Sequence, residues 1–450
     1  MFHQKRRLAV AGLATAILVG ATTAANATAT AYASQQYAGK TLTYAMGPPT
    51  APGQKSFNNA LEKAFHAATG ATLKYDYNIT STANELSTIA EVATTTSGPD
   101  MVQLGDTITA AGYAGGGFAI MTPKDLAAIG GTGQFWPRIF GDAGPNASHI
   151  IGVPDFTNPT MLVYNTKLFA QAHISGPPTT WSQFVTDALK INDPSHGIYG
   201  TDFFPNDTQE YKALWYLASD YARGAFPKNP FNATVTQAEL DNSAYQNATE
   251  FWFDLATKWH VVPPNSVVNT QADFAQQFAT GKIGEEVASS ASYQTTYATG
   301  AIGKNFRFAP LPTVPYGESG SGANLPESML LYEDTVVAKY APMPLALAFL
   351  KIMVSKKMQV LQYRLTGNLP VTVAAANAVQ PSDPTLLTPE IYAQEHAYPV
   401  PFTPAWATYQ TAIGAATIDA GSHLATKGSL PTSYLFSLLK QANATVQKQL

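Results

Sequence analysis

Tyr211 and Trp215 stand four residues apart, beside the loop Phe203-Phe204-Pro205-Asn206-Asp207. At that spacing two rings share one face of a helix. Such rings either stack on the C–H face of a pyranose or fill a core. Stacking needs partners that grip hydroxyls, and carboxylates and amides do so with hydrogen bonds, the charged ones being about twice as strong. Residues of those types are present, but groups built for catalysis are not. Glu285 and Glu286 are adjacent, so on a strand they point to opposite faces and cannot flank one glycosidic bond. The eight histidines are scattered, without the H-E-x-x-H spacing of a zinc site. Gly115-Gly116-Gly117 lacks the following Lys-Ser/Thr of a phosphate loop, and Ser319 and Ser321 sit in a Gly-rich loop without a nucleophile elbow. The N-x-S/T sequons, such as Asn232-Ala233-Thr234, are ordinary in a chain rich in Ser and Thr. Catalytic residues, a metal and a cofactor are therefore not expected, and the chain reads as a binder of solute.

Bulk composition narrows the solute and the setting. The 450 residues suffice for two or three lobes with their own cores. Charged residues are only 12% of the chain, about half the usual share, and the net charge is −4. That balance leaves no basic footprint for nucleic acid. The shortage of charge fits either an acidic external medium or compositional drift. A phosphorylated ligand would want clustered Arg or Lys, for which only Lys55 and Arg223 are candidates. A neutral solute is favoured. Cysteine is absent, which removes disulfides, thiolate metal sites and a lipidated cysteine anchor. Lys5-Arg6-Arg7, the apolar run Leu8 to Ala21 and two small-x-small sites, Ala25-Asn26-Ala27 and Ala31-Tyr32-Ala33, read as a secretory signal over 1–33, cleaved after Ala27 or Ala33. The protein is expected in the periplasm or outside the cell.

The elements that must position a site are legible in the apolar periodicity. Lys40 to Met46 alternates as a strand and ends at Gly47-Pro48-Pro49. Phe57, Leu61, Ala64, Phe65 and Ala68 follow at helical spacing, with Gly70 as the stop. Leu73, Tyr75 and Tyr77 form a second strand; Leu86, Ile89, Ala90 and Ala93 a second helix. Gly98-Pro99 turns into Met101 to Leu104, a run suited to a parallel strand buried on both faces. This βαβαβ order predicts an α/β fold with a parallel sheet. Further on, Met161 to Tyr164 is a strand, Thr180-Trp181-Ser182-Gln183 a capping box, Phe306 to Leu311 a strand and Leu345 to Val354 an apolar helix. No Pro/Gly linker divides the chain cleanly, so two lobes that exchange segments across a hinge are expected, with the ligand in the cleft between them. Pro48 and Thr50, just past the first strand, then lie near the cleft mouth.

Several motifs occur in one order: Gly98-Pro99-Asp100 before its strand, Ile151-Gly152-Val153-Pro154, Tyr164-Asn165, Pro177-Pro178 with Thr180-Trp181, Phe278 to Lys282, and Thr366 to Pro370. In that order they resemble the extracellular solute-binding proteins of ABC importers, the maltose/oligosaccharide cluster of family 1. The resemblance spans about residue 40 to the C-terminus. It implies the two-lobed periplasmic-binding-protein fold of type II, with interleaved lobes joined by a hinge. Lobe 1 is expected over 34–153 plus about 304–337, and lobe 2 over 154–303 plus about 338–450. The resemblance also implies a carbohydrate ligand, a membrane permease as partner and no enzymatic activity; a monomer is expected. Among site residues it implies Asp106, just past a strand end, and Asn158 near the hinge, whose bland alternatives are a helix cap and a turn. It adds a stacking Trp406, and Ser290 and Tyr293 on a loop of lobe 2. The chain departs from the family in lacking the lipobox and in carrying Glu285-Glu286 where small apolar residues are usual. The competing readings are the same fold holding a polyamine, a polyol phosphate or a metal chelate, and, weaker, a secreted glycoside hydrolase.

Overall fold

A computed structural model describes residues 36–450, apart from 50–52, 204, 207–210, 224–229, 233, 290–295, 321 and 323–327. The expected signal segment lies outside the described residues. Within them, no helix is long and apolar enough to cross a membrane.

Two sheets organise the chain. The first has the strand order β2-β1-β3-β9-β4, built from β1 (Thr41–Ala45), β2 (Thr72–Asp76), β3 (Met101–Gly105), β4 (Gly152–Thr157) and β9 (Tyr332–Val337). β1 pairs in parallel with β2 and β3, which the helical crossovers between them permit. β9 enters antiparallel between β3 and β4 from far down the chain. The second sheet has the order β6-β7-β5-β8, from β5 (Thr160–Asn165), β6 (Tyr199–Thr201), β7 (Ile283–Ser289) and β8 (Phe306–Ala309).

Helices cover both sheets. In lobe 1, α1 (Gln54–Thr69) presents Phe57, Leu61 and Phe65 to the core and stops at Gly70, whose φ of 75° is the left-handed turn glycine allows. α2 (Thr82–Thr94) is capped by the Ser81 hydroxyl, which accepts from the Asn84 N–H; α3 (Thr109–Gly115) follows β3. Lobe 2 carries α4 (Thr166–Gln171), α5 (Trp181–Ile191), α6 (Tyr211–Tyr221), α7 (Ser243–Thr257) and α8 (Gln271–Ala279). Thr180 caps α5 by accepting from the Gln183 N–H, but the Gln183 carbonyl oxygen turns to the Thr179 N–H, so the expected box is half formed. Trp181 anchors the lobe 2 core against Phe251, ring centroids 5.6 Å apart, and donates its indole N–H to Asp220 at 3.0 Å.

The segment exchange differs from the expected boundaries. β4 belongs to the first sheet through Thr157, and β8 to the second. Helices α9 (Met343–Met353) and α10 (Lys356–Thr366), expected in lobe 2, pack in the lobe 1 core. Their apolar stripe explains this: Phe349 meets Phe65 of α1 at 5.9 Å and Tyr44 of β1 at 5.4 Å. Helix α11 (Pro384–His396) straddles the lobes, with Leu387 and Ile391 in the first core and Leu386 and Ala393 against the second sheet. The chain then passes into lobe 2 between Ala397, in the first core, and Ala405, which opens α12 (Ala405–Lys427) in the second. Three strands of chain thus cross the hinge, and they are laced together. The Asn158 N–H donates to Leu331 O at 2.7 Å, the Ser328 hydroxyl to Thr160 O at 2.7 Å, and the Leu330 N–H to Tyr398 O at 2.8 Å. Along the second crossing the side chains alternate: Met329 and Leu331 enter the lobe 2 core, Leu330 and Tyr332 that of lobe 1.

Candidate functional site

Between the lobes lies a cavity of about 500 Å³. Lobe 1 forms most of its wall. Gly47 follows β1, Ser81 to Ala83 and Glu85 come from the start of α2, Gln103 from β3 and Glu333 from β9. Lobe 2 contributes Gln410 and Thr411 from the first turns of α12. The position follows from topology: the carboxyl ends of parallel β1 and β3 open here, the usual place for a ligand in an α/β sheet. Because β9 runs antiparallel, its amino end comes to the same edge, and Glu333 pairs with Gly105 across the ladder. The lobes touch beside this cavity. Ala407 of α12 packs into a lobe 1 cluster with Ile89, Leu104 and Ile108, and Tyr113 meets Phe402 edge-on at 5.6 Å.

The wall is polar and acidic. The Gly105 N–H donates to the Glu85 carboxylate at 3.0 Å. The Gln103 amide donates to Asp155 at 2.7 Å, which fixes the amide at the edge of the cavity. Burial pushes the Asp155 carboxyl up to about 7, against the hydrogen bonds that favour its charge. Asp106 is likewise raised to about 7 by burial, opposed by the Lys212 ammonium from lobe 2 and by the Thr107 N–H. Glu85 is raised by burial, and Glu333 by burial and then by the neighbouring carboxyls, Glu85 first. No cation lines the cavity among the described residues. Nor do the described residues include a cluster of His, Asp or Glu able to hold a metal ion.

The residues singled out from sequence fall into three groups. Neither Asp106 nor Asn158 lines the cavity. Asp106 is buried just past β3 and pairs electrostatically with Lys212; Asn158 is buried in the hinge. Pro48 is exposed next to the lining Gly47. Trp215 and Trp406 lie elsewhere: 0% and 1% exposed, they pack against each other in the lobe 2 core with centroids 5.2 Å apart. In this conformation neither ring offers a face to a ligand, because α6 and α12 use them as the contact between helices. Thr50, Ser290 and Tyr293 lie outside the described residues, as does the ring of Tyr211. Sequence reasoning passed over Glu85, Gln103, Glu333 and Gln410. Gln103 carried a signal, as the polar residue inside the apolar run Met101 to Leu104.

The two lobes, the laced hinge and a cavity lined from both lobes are the architecture of a solute-binding protein. The family model of bacterial extracellular solute-binding proteins matches residues 60–389, and the chain belongs to that family. Solved structures share the fold at low identity. An ABC transporter solute-binding protein from Thermotoga lettingae, bound with alpha-D-tagatose, is 18% identical with a TM-score of 0.70, covering 90% of this chain and 100% of its own. The maltose-bound MalE3 of T. maritima is 17% identical with a TM-score of 0.72, covering 91% and 100%. A solute-binding protein from Agrobacterium radiobacter, in complex with ribitol, is 20% identical with a TM-score of 0.70, covering 91% and 100%. No curated protein sequence matches the chain.

Proposed function

We propose that this protein is the capture component of an ABC importer and that it holds a carbohydrate, a small sugar or polyol or an oligosaccharide, in the cleft between its lobes. One observation carries the reading: Glu85, Gln103 and Glu333 of one lobe face Gln410 and Thr411 of the other across a single cavity. A guest rich in hydroxyls can satisfy acceptors and amides on both walls at once, so it favours the closed state over the open one. Relatives of the same fold hold tagatose, maltose and ribitol, which supports a guest of that chemistry. Asp106 and Asn158 then shape the inner rim, with Pro48 at the mouth, and Thr50, Ser290 and Tyr293 are further ligand contacts on this reading. The closed form is handed to a membrane permease with the solute's covalent bonds intact, and no enzymatic step is involved. The protein acts outside the cytoplasmic membrane as a monomer, with the segment 1–33 removed after Ala27 or Ala33.

Thermal unfolding of the purified protein against neutral monosaccharides, alditols and maltooligosaccharides tests this. A ligand of this class raises the midpoint as its concentration passes the dissociation constant. Gln410→Ala lowers the affinity, since it removes one of the two polar side chains that lobe 2 brings to the cavity. Absence of any response across the panel, or turnover of a bound glycan, would remove the proposal.

A further inference from the structure

Glu85 and Glu333 reach the same spot from different elements. A methyl group placed on Gly105 would lie 3.6 Å from a carboxyl oxygen of Glu85 and 3.8 Å from one of Glu333. Both side chains line the cavity. The charges around them have one sign: Asp106, Asp155 and Asp334 all act on Glu333. Lys212, whose charge acts on Asp106, is not among the residues that line the cavity. Glu85 accepts from the Gly105 N–H, while Glu333 is raised by burial and then by its acidic neighbours. Among the described residues, the cavity is thus walled by two acids with no positive counterpart.

We infer that the Glu85–Glu333 pair sets the charge specificity of the cleft: it accepts hydroxyl-rich solutes without ionised acid groups and rejects sugar acids and sugar phosphates. This rests on the carbohydrate reading above and narrows it. An incoming carboxylate would meet Glu85, whose oxygen accepts from the Gly105 N–H, at close range while that acid is ionised, and would otherwise require the pair to keep its protons at neutral pH. Both routes cost free energy that a neutral hydroxyl does not incur. A hydroxyl donates to whichever carboxyl is charged and accepts from whichever is protonated.

The test uses matched ligands. D-glucose, D-galactose, D-mannose, ribitol and maltose are titrated calorimetrically into the protein at neutral pH. The best neutral binder is then compared with its own carboxylate, a uronate or aldonate. The readout is the ratio of the two dissociation constants, which a general loss of affinity does not move. In the natural protein the acid is expected to bind at least tenfold more weakly. In Glu333→Gln, and independently in Glu85→Gln, the ratio is expected to fall to within threefold. An acid that binds as tightly as its neutral parent overturns the inference, as does a full penalty retained in either folded variant. Failure of every neutral carbohydrate is a different result, and it strikes the carbohydrate reading itself.

Discussion

Trp215 of α6 meets Trp406 of α12 edge to face, with ring planes at 78°, and Tyr409 closes on Trp406 at 4.7 Å. A T-shaped aromatic pair sealed from water is worth more than its area alone. Here it ties α12, which carries Gln410 to the cleft, to the centre of lobe 2. Trp406→Ala is therefore expected to cost about 3–5 kcal/mol of stability, the usual range for losing a buried tryptophan. Chemical denaturation should show the earlier midpoint, with the affinity of the folded protein changed far less. Unchanged stability with affinity reduced by about 1–3 kcal/mol would instead place the ring on the ligand.

Gly152, within the Ile151-Gly152-Val153-Pro154 motif, lies directly against the carboxyl of Asp334. A methyl group there would stand 2.5 Å from the carboxyl carbon. Asp334 cannot retreat freely, because it is fully buried and its other oxygen accepts from the Thr109 hydroxyl at 3.0 Å. Gly152→Ala should destabilise lobe 1 by about 1–3 kcal/mol through overpacking. The double variant Gly152→Ala with Asp334→Ala should recover part of that loss. Additive losses would show that the two positions do not press on each other.

Asn165 ties two parts of lobe 2 together at the end of β5. Its side-chain oxygen accepts from the N–H groups of Lys167 and Leu168, capping α4, and its amide donates to Gly281 O at 3.0 Å in the turn before β7. Asn165→Ala is expected to cost about 2 kcal/mol, combining a lost cap with a lost buried hydrogen bond. Asn165→Asp keeps the acceptor and loses the donor, so it should recover part of the cap's contribution. Equal stability of the alanine and aspartate variants in denaturant titrations would disprove the capping role.

Local order was legible wherever one segment's own pattern decided it. Met101 to Leu104 had to be a strand, and α1 had to end at Gly70. What escaped was decided between distant segments. β9 begins Tyr332-Glu333-Asp334, too acidic to read as a buried strand; its place comes from the ladders with β3 and β4. β7 carries Glu285-Glu286, a break with the family that cast doubt on a strand. It forms all the same, and its acids do point oppositely: Glu286 accepts from the Tyr297 hydroxyl at 2.7 Å, while Asp187 acts on Glu285. The apolar stripe of α9 showed that it had a buried face, but a stripe cannot say which lobe it faces. The same limit governs the site. Trp406 read as either ligand platform or core, and packing with Trp215 decides it. Nothing in the sequence around Glu85 marks it, because its meeting with Glu333 joins α2 to a strand about 250 residues away.

The buried acids make a prediction about pH whose direction is fixed. Burial raises Asp155 and Asp202 to about 7, well above the ordinary aspartate value of about 3.9. Glu285, Glu286, Glu333 and Asp334 are pushed up for the same reason. For each, the folded chain holds its proton more tightly than the unfolded chain does. Their stabilising share is therefore complete below about pH 4 and is lost progressively as the pH rises toward 7, because unfolding then releases protons. The thermal midpoint should be highest near pH 4 and fall by several degrees at pH 8. Asp202 offers a check on the cause. It is fully buried, with one oxygen accepting from the Phe203 N–H at 2.8 Å. Asp202→Asn removes its titration while keeping an acceptor, so the drop between pH 4 and pH 8 should shrink. A midpoint that instead rises steadily from pH 4 to pH 8 would mean that these carboxyls keep their charge in the fold. The acidic medium that the sparse surface charge fits would then lose its structural support.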